Sequence, residues 1–351
     1  MVVSIVRTCQ QASPRRRRRG VLLRSQRESE PAPPRRRFRL SAPKEHDMVR
    51  PLSAAMLACA GLTLPLTAGA HGIAGARIFP ATLTIDDPAV GDELSFPTID
   101  WQPNGPTSET DIGFEWDKTI LSGFGFAFND GYSVIHQPGT LGGNNYGWDD
   151  PVLTLKYEFF RNEPHEILMS IGVQKEFGGV GAVNHGLADS AGTTAPTLYA
   201  GKGFGDLPRS MGLLRPLAVT GELAYQIAEE PVQNLSGGQQ FNPNFWNVGF
   251  SVQYSLPYLT TQVKDYGWPR WVDGLIPLVE FSYSTPATSP HGNTTIGTIA
   301  PGVLAEMGGY QLGIEALIPA TRASGNGTGF IVQFHCYLDD LFPKSIGKPL
   351  F

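Results

Sequence analysis

Apolar and polar residues alternate in repeated runs along the chain, and the clearest two runs lie within residues 151–177. Successive side chains of a β-strand point to opposite faces, so a period of two gives each run one apolar and one polar face. The connection at residues 161–166 is polar and includes Pro164. The pattern therefore predicts an antiparallel β-hairpin over residues 151–177.

The same alternation returns further along the chain. Alternating runs occupy residues 112–116, 124–128, 217–227, 246–256, 279–283, 310–318 and 330–338. With weaker segments they give about ten to fourteen strands, each near the ten or so residues that a tilted strand needs to cross a bilayer. We predict an all-β fold, an antiparallel up-and-down transmembrane β-barrel of about twelve strands. A β-sandwich shows the same periodicity, so a secreted or periplasmic β protein that binds a ligand or partner is the alternative.

An export signal favours the barrel. Residues 48–70 consist of a short basic start, an apolar run rich in Ala and Leu, and the small residues Ala68, Gly69 and Ala70. This is the anatomy of a secretory signal peptide cleaved after Ala70. Aromatic residues also crowd near the ends of the runs, as the interfacial girdles of an outer-membrane barrel require. We therefore expect the protein in the outer membrane of a Gram-negative bacterium, in contact with its lipid.

The segment before the signal has a different composition. Residues 1–47 contain 13 Lys and Arg against 4 Asp and Glu, with no apolar periodicity, and are expected to be disordered. We interpret them as the product of a start codon assigned too far upstream, with Met48 as the true start. The remaining predicted divisions are an N-terminal extension at 71–110 with one or two short strands, the barrel at 111–338 and a C-terminal tail at 339–351.

The charge and the cysteines limit the partners of the processed chain. Residues 71–351 hold 13 Lys and Arg against 28 Asp and Glu, a net charge of −15, which argues against nucleic acid as a partner. Cys336 is the one cysteine after residue 70, so a site built on several cysteines is excluded. The histidines show no metal-ligand spacing. We expect no metal and no cofactor.

Charged residues on the polar faces of the strands are the candidate binding residues. A charge on the lipid face near the midplane costs about 2–4 kcal/mol for Lys or Arg, so these side chains should face the lumen. They either fill the interior by bonding to one another or line a passage that favours cations. The set is Lys156, Glu158, Glu176, Glu222, Glu280 and Glu315.

In the hairpin, the polar face also includes Gln174, and the apolar face should meet lipid. The residues of that apolar face are Leu153, Leu155, Tyr157, Ile167, Met169 and Ile171. No G-x-S-x-G elbow or H-E-x-x-H motif is present, and we expect no enzymatic activity.

Two groups of residues resemble a family of bacterial outer-membrane β-barrels, the MetA-like component of phenol-degradation pathways. The first is Gly147-Trp148-Asp149-Asp150-Pro151, which leads into the predicted hairpin at residues 151–177, with a similar Gly205-Asp206-Leu207 later. The second is the pair of segments 299–303 and 310–313 near the end of the chain. The resemblance covers roughly residues 148–338, and it implies a barrel that takes up small aromatic or hydrophobic molecules. It implies no catalytic residues.

Overall fold

The computed structural model describes residues 72–138, 143–235, 238–288 and 294–351. The predicted leader and signal peptide lie outside the described residues. The strands are β1 (Gly72–Ala74), β2 (Arg77–Phe79), β3 (Glu93–Asn104), β4 (Thr107–Leu121), β5 (Phe124–His136), β6 (Asn145–Trp148), β7 (Val152–Asn162), β8 (Ile167–Glu176), β9 (Thr193–Gly203), β10 (Leu217–Ala228), β11 (Val232–Leu235), β12 (Gly238–Phe241), β13 (Phe245–Tyr254), β14 (Leu275–Pro286), β15 (Ile296–Glu306), β16 (Tyr310–Pro319) and β17 (Gly329–Tyr337).

Twelve of these strands form one antiparallel sheet that closes on itself. Around the ring the order is β3, β17, β16, β15, β14, β13, β10, β9, β8, β7, β5 and β4, and β4 pairs with β3 to complete the circle. The predicted all-β antiparallel barrel of about twelve strands is confirmed. The predicted hairpin corresponds to β7 and β8, in which Tyr157 pairs with Ile171 and Leu155 with Val173.

The remaining strands form two small hairpins, β1–β2 and β11–β12, while β6 adds to the end of β5. Helical structure is confined to short turns. They are α-helical at Leu256–Tyr258, Arg270–Asp273 and Leu338–Leu341, π-helical at Leu259–Val263, and 3₁₀-helical at Glu163–His165, Val183–His185, Arg209–Leu214 and Arg322–Ser324. Within the described ranges, no helix has the length and apolar character that crossing a membrane requires.

The two ends of the barrel differ. We call the end where β3 begins and β17 stops the proximal end, and the end with the β3–β4 turn the distal end. The distal connections between β5 and β7, β8 and β9, and β10 and β13 are long, whereas the proximal β4–β5 and β15–β16 turns are short. Two proximal connections are exceptions, because β9–β10 and β13–β14 are joined by 13 and 20 residues that contain four of the eight described helical turns.

The first barrel strand starts at Glu93, inside the range that the sequence assigned to an N-terminal extension ending at residue 110. Pro97 and Pro103 lie within β3, and the pairing of β3 with both neighbours shifts register near Ser95. Proline removes a ladder donor, and a bulge interrupts the alternation by one residue. Both effects weaken the period-two signal by which a strand is recognised in sequence.

The residues before β3, Gly72–Asp92, occupy the lumen, and we call them the luminal segment. Its contacts reach inner-face residues on strands all around the ring. The Gln311 amide on β16 donates to Ala81 O, the Lys156 ammonium on β7 donates to Asp87 O, and the Ser170 hydroxyl on β8 donates to Pro88 O. A segment that touches strands on opposite walls lies inside the barrel.

Inner-face glycines make room for the luminal segment. A Cβ on Gly249 of β13 would lie 2.5 Å from Cγ2 of Ile85, and one on Gly313 of β16 would lie 2.6 Å from Cδ1 of Leu83. Both distances are far inside van der Waals contact, so any side chain at either position would displace the segment. Leu83 is buried with Ile276 and Leu304 in an apolar cluster inside the barrel.

Arg77 fixes the luminal segment at the proximal end. Its guanidinium lies 3.9 Å from the ring centroid of Tyr258, and its Nε donates to Glu166 Oε2 at 3.2 Å. Nη1 donates to Pro216 O at 3.0 Å, and the Tyr258 hydroxyl completes the cluster by donating to Glu166 Oε1 at 2.8 Å. Both charged side chains are almost fully buried. The planar fork of arginine suits such a site because it satisfies several acceptors at once.

The C-terminal tail also lies at the proximal end. The backbone N–H groups of Leu350 and Phe351 donate to Thr119 O and Ile120 O, at the end of β4. The Lys118 ammonium, which points inward from β4, donates to Ile346 O at 2.8 Å and Lys348 O at 2.7 Å, and it pairs with Asp92. One buried cation thus ties the tail to the end of the luminal segment.

Candidate functional site

The main cavity of the lumen lies between the luminal segment and the inner faces of β3, β4 and β5. It has a volume of about 140 Å³ and extends from Ala81 to residues in the distal halves of the strands, such as Asp100 and Asp111. The strands supply its side chains by alternation: on β3, buried Ser95 and Thr98 and then Asp100 face inward. The luminal segment supplies the opposite boundary with Asp86 and Asp87.

The cavity is strongly acidic. Its basic lining residues are Lys156 and His335. Its acidic lining residues are Asp86, Asp87, Glu93, Asp100, Asp111, Glu115, Asp117, Asp130, Asp149, Asp150 and Glu222. Burial raises the pKa of Asp87 in the luminal segment well above its ordinary value, and the nearby carboxyl groups of Glu93 and Asp86 add to this effect while Lys156 opposes it. Eleven acidic groups against two basic ones make the cavity attractive to cations.

Two of the six candidate residues line this cavity. The Lys156 ammonium donates to Asp86 Oδ1 at 2.8 Å and lies 4.6 Å from the ring centroid of Tyr199. Glu222 on β10 faces the same space from another wall. Lys156 therefore holds the luminal segment and offsets part of the negative charge at the same point.

Glu280 on β14 and Glu315 on β16 are buried outside this cavity, and Glu280 contacts the luminal segment. Glu280 Oε1 accepts from Leu83 N at 3.0 Å, and its Oε2 accepts from Thr84 N at 2.6 Å, from the Thr84 hydroxyl and from Ile85 N at 3.2 Å. Glu315 is buried on β16, where Gly302 of β15 leaves room for its side chain. Glu280 thus satisfies backbone donors of a segment that has no strand partner at this point.

The other two candidates do not line the cavity. Glu158 accepts a bidentate pair of hydrogen bonds from Arg161 on its own strand, at 2.7 and 2.8 Å. Glu176 accepts from the Thr193 hydroxyl at 2.9 Å, where the β8–β9 connection returns to the sheet. Both carboxylates are buried and locally partnered.

The sequence analysis missed the most concentrated part of the site. Asp86 and Asp87 lie in a Pro-rich stretch without periodicity, and Asp100 lies on the strand that its prolines obscured. Asp100 and Asp111 occupy directly paired positions of β3 and β4, a relation that depends on pairing register. One available signal was the run of small or glycine residues on inner faces, since such residues leave a lumen that another segment can fill.

The Asp149-Asp150 pair has a structural role at the distal rim. Asp150 Oδ1 accepts from Val180 N at 3.1 Å and Gly181 N at 2.9 Å, and its Oδ2 accepts from Asp189 N at 2.7 Å. Asp149 accepts from the Ser133 hydroxyl at 2.9 and 3.0 Å. These carboxylates fix the β8–β9 connection against the wall of the cavity.

A buried chain of one hydrogen bond and one ion-pair contact joins Ser95, His335 and Glu93. The Ser95 Oγ to His335 Nδ1 distance is 2.8 Å, and His335 Nε2 lies 3.0 Å from Glu93 Oε2. All three residues are at least nine-tenths buried and line the cavity. The chain joins β3 to β17, and its order matches that of a nucleophile, a base and an orienting acid. Across the described part of the chain, no group of three or more His, Cys, Asp and Glu side chains is arranged to hold a metal ion.

Comparison with solved structures identifies the type of barrel. The chain is similar to the COG4313 outer membrane channel from Pseudomonas putida F1, with a TM-score of 0.51 and 10% identity over 74% of this chain and 99% of that one. The chain has the fold of an outer-membrane β-barrel. Weaker similarity links it to the NanC porin, with a TM-score of 0.41 and 10% identity over 69% of this chain and 97% of that one. No protein-family model matches the chain, and no curated protein matches it.

Proposed function

We propose that the protein is a passive channel for small molecules in the outer membrane of a Gram-negative bacterium, and not an enzyme. The observation that carries this proposal is the acidic cavity enclosed by a twelve-stranded barrel. A closed barrel isolates its interior from the surrounding lipid, and charged inner walls make that interior suitable for hydrated solutes. The proposed direction of entry is the distal end, where most of the long connections lie, because outer-membrane barrels have their longer loops on the extracellular side.

The outer surface supports the proposed membrane location over a soluble β protein. Strand residues of the outward parity form an exposed apolar belt that includes Leu155, Ile171, Val173, Leu198, Leu223, Val248, Phe250, Leu312, Ile314 and Phe330. Soluble monomers rarely expose a contiguous apolar surface of this extent, whereas a barrel in lipid requires one. Outer-membrane fractionation with a heat-modifiability gel tests the location. Recovery of the protein in the soluble fraction would favour the secreted or periplasmic alternative.

Processing at the proposed signal peptide, residues 48–70, gives a separate test. Cleavage after Ala70 would leave His71 as the first residue, immediately before the luminal segment. Mass spectrometry of protein purified from the outer membrane should find His71 at the amino terminus. A mature chain that retains residues 1–70 would contradict both the export signal and the proposed start at Met48.

The charge of the cavity favours small cations among the solutes. Glu222 and Lys156 line the cavity with opposite charges, so their substitutions should shift ion preference in opposite directions. In planar bilayers with a KCl gradient, Glu222→Gln should lower the permeability ratio of K⁺ to Cl⁻, and Lys156→Gln should raise it. Glu158→Gln is the matched control, since Glu158 is buried against Arg161 away from the cavity. Equal ratios in all variants would reject a passage through this cavity. Uptake of aromatic molecules, which the family resemblance implies, is tested separately by comparing the swelling in phenol of liposomes with and without the protein.

Among the described residues, a second function is favoured by the arrangement of Ser95, His335 and Glu93, which suits hydrolysis by a serine nucleophile. We propose that this chain of contacts is structural, because the surrounding carboxylates would destabilise the negative charge that develops during acyl transfer. A fluorophosphonate probe should leave Ser95 unlabelled in the folded protein. Labelling that disappears in Ser95→Ala and in His335→Ala would establish the hydrolase and overturn the non-enzymatic proposal.

A further inference from the structure

Two residues on neighbouring strands that line the acidic cavity each have a buried acceptor atom without a hydrogen-bond partner among the described residues. The two atoms are Oδ1 of Asp100 on β3 and Oε1 of Gln333 on β17. Each residue is 5% exposed. Buried polar atoms are rarely left unpaired, because each unmade hydrogen bond carries a desolvation penalty. A pair of them that shares one cavity therefore indicates a ligand that donates hydrogen bonds.

The other polar atoms of these two side chains are already engaged, which fixes their orientation. Gln102 donates through Nε2 to Asp100 Oδ2 at 3.0 Å, and Gln333 donates through its own Nε2 to the Thr98 hydroxyl at 3.2 Å. The unpaired atom of the Gln333 amide is therefore its oxygen, which is an acceptor only. The free positions on both side chains are acceptors, so they match a ligand with several donors.

The spacing suits a single cationic head group. Thr98 pairs with Gln333 and Asp100 pairs with Ile331, so Asp100 and Gln333 are diagonal neighbours on the inner face. Such positions lie roughly 7–8 Å apart between Cα atoms, within reach of one small group that bonds to both side chains. Asp111 lies directly opposite Asp100 on β4 and adds negative charge. Like charges directly opposite each other are destabilising, and a cation bound at Asp100 would reduce this repulsion.

We propose that Asp100 and Gln333 form a subsite that binds the primary ammonium group of a small organic cation. A primary ammonium has three N–H donors and one positive charge, and so it satisfies both free acceptors and offsets the carboxylate pair. The subsite deepens the proposed channel function and rests on it. It lies in the distal half of β3, before the luminal segment on the proposed route of entry.

Binding is measured on the full-length protein in detergent micelles, by isothermal titration with n-butylammonium chloride. Tetramethylammonium chloride carries the same charge without any N–H donor, and it separates hydrogen bonding from general attraction to the acidic cavity. We expect saturable binding of n-butylammonium and at least about tenfold weaker binding of tetramethylammonium, the ratio that loss of charge-assisted hydrogen bonds implies.

Asp100→Asn should weaken n-butylammonium binding by about tenfold or more, and Gln333→Leu by several-fold. Glu222→Gln is the matched control, because it removes one negative charge from another wall of the same cavity. It should change the affinity by less than about threefold, as expected of a charge without direct contact. Unchanged heat-modifiability establishes that each variant folds. If Asp100→Asn does not fold, Gln333→Leu still tests the subsite.

Three results would overturn the subsite: equal affinities for the two ammonium ions, equal losses in Asp100→Asn and Glu222→Gln, or saturable Mg²⁺ binding at Asp100 without n-butylammonium binding. The titration does not require an open pore. Ion passage in bilayers without saturable n-butylammonium binding would reject the subsite but support the channel function. Saturable n-butylammonium binding without ion passage would reject the channel function but support the subsite as a ligand-binding site.

Discussion

Glu280 accepts hydrogen bonds from both the backbone N–H and the side-chain hydroxyl of Thr84, a residue 196 positions earlier in the chain. The same carboxylate also accepts from the backbone on either side of Thr84. Hydrogen bonds to a charged acceptor contribute about 1.5–3 kcal/mol each, more than bonds between neutral groups. One side chain of the barrel wall therefore holds the innermost part of the luminal segment.

Glu280→Gln should loosen the luminal segment. Glutamine keeps a single acceptor oxygen and adds donors that face other donors, so the Leu83, Thr84 and Ile85 groups cannot all be satisfied. We expect larger or more frequent openings in single-channel recordings, with faster amide exchange at residues 83–85.

Glu176→Gln is the control for this prediction, since Glu176 is equally buried but accepts from Thr193 near the distal end. It should leave both measurements unchanged. Wild-type conductance and amide exchange in Glu280→Gln would show that the segment is held by other contacts.

Arg77→Ala should release the proximal part of the luminal segment. The change leaves Glu166 buried without its cation, and breaking a buried pair in this way costs about 3–5 kcal/mol. Hydrogen exchange over residues 72–79 should increase strongly. Arg77→Lys should have an intermediate effect, because an ammonium keeps the charge but cannot reproduce the guanidinium fork over Tyr258. Equal protection in Arg77→Ala and in the wild type would contradict this account.

Leu155→Arg and Lys156→Arg test the two faces of β7 with adjacent substitutions. Leu155 is 45% exposed on the outer face, whereas Lys156 is buried against Asp86. Arginine at 155 should destabilise the barrel in lipid by about 2–4 kcal/mol if the site lies near the midplane, and arginine at 156 should be tolerated. Urea titration in phospholipid bilayers measures the difference. Similar stability of the two variants would reverse the assignment of faces.

Asp206 in the β9–β10 connection gives a pH-dependent prediction. The hydrogen bond from His165 lowers the pKa of Asp206, and Lys202 contributes further. A carboxyl group with a lowered pKa stabilises the fold fully above its ordinary pKa of about 3.9 and loses this effect as the pH falls through the lowered value. The contribution should be below about 1 kcal/mol because the group is partly exposed.

We expect amide exchange over residues 204–216 to accelerate below pH 4 in the wild type, after correction for the intrinsic exchange rate. Asp206→Asn should show that faster exchange already at neutral pH, with little further change on acidification. A wild-type profile that stays flat from pH 7 to pH 2 would exclude the contribution.

The sequence predicts the wall of this protein far better than its interior. β7, β8, β10 and β13 alternate large apolar residues with small or polar ones over most of their length, and such local information is enough to predict a strand and its two faces. β3 loses that period at Pro97 and at a bulge, and it was assigned to the extension.

The site depends on contacts between distant residues. Glu280 meets Thr84, and Asp100 meets Asp111 and Gln333, only after the ring has closed in one register. No local pattern encodes that register. The path of the luminal segment is even harder to predict from the sequence, because the segment has little secondary structure of its own and its conformation depends on contacts with the barrel wall.

The path of the luminal segment has a mechanical consequence. Gly72–Ala74 and Arg77 lie near the proximal β7–β8 turn, the middle of the segment reaches Glu280, and Asp92 returns to Lys118 at the proximal end. The segment enters and leaves through the same mouth without crossing the barrel. Because both ends of the segment lie at the proximal mouth, a pull on Gly72 from that side would withdraw the segment while the strand pairs of the barrel stay intact.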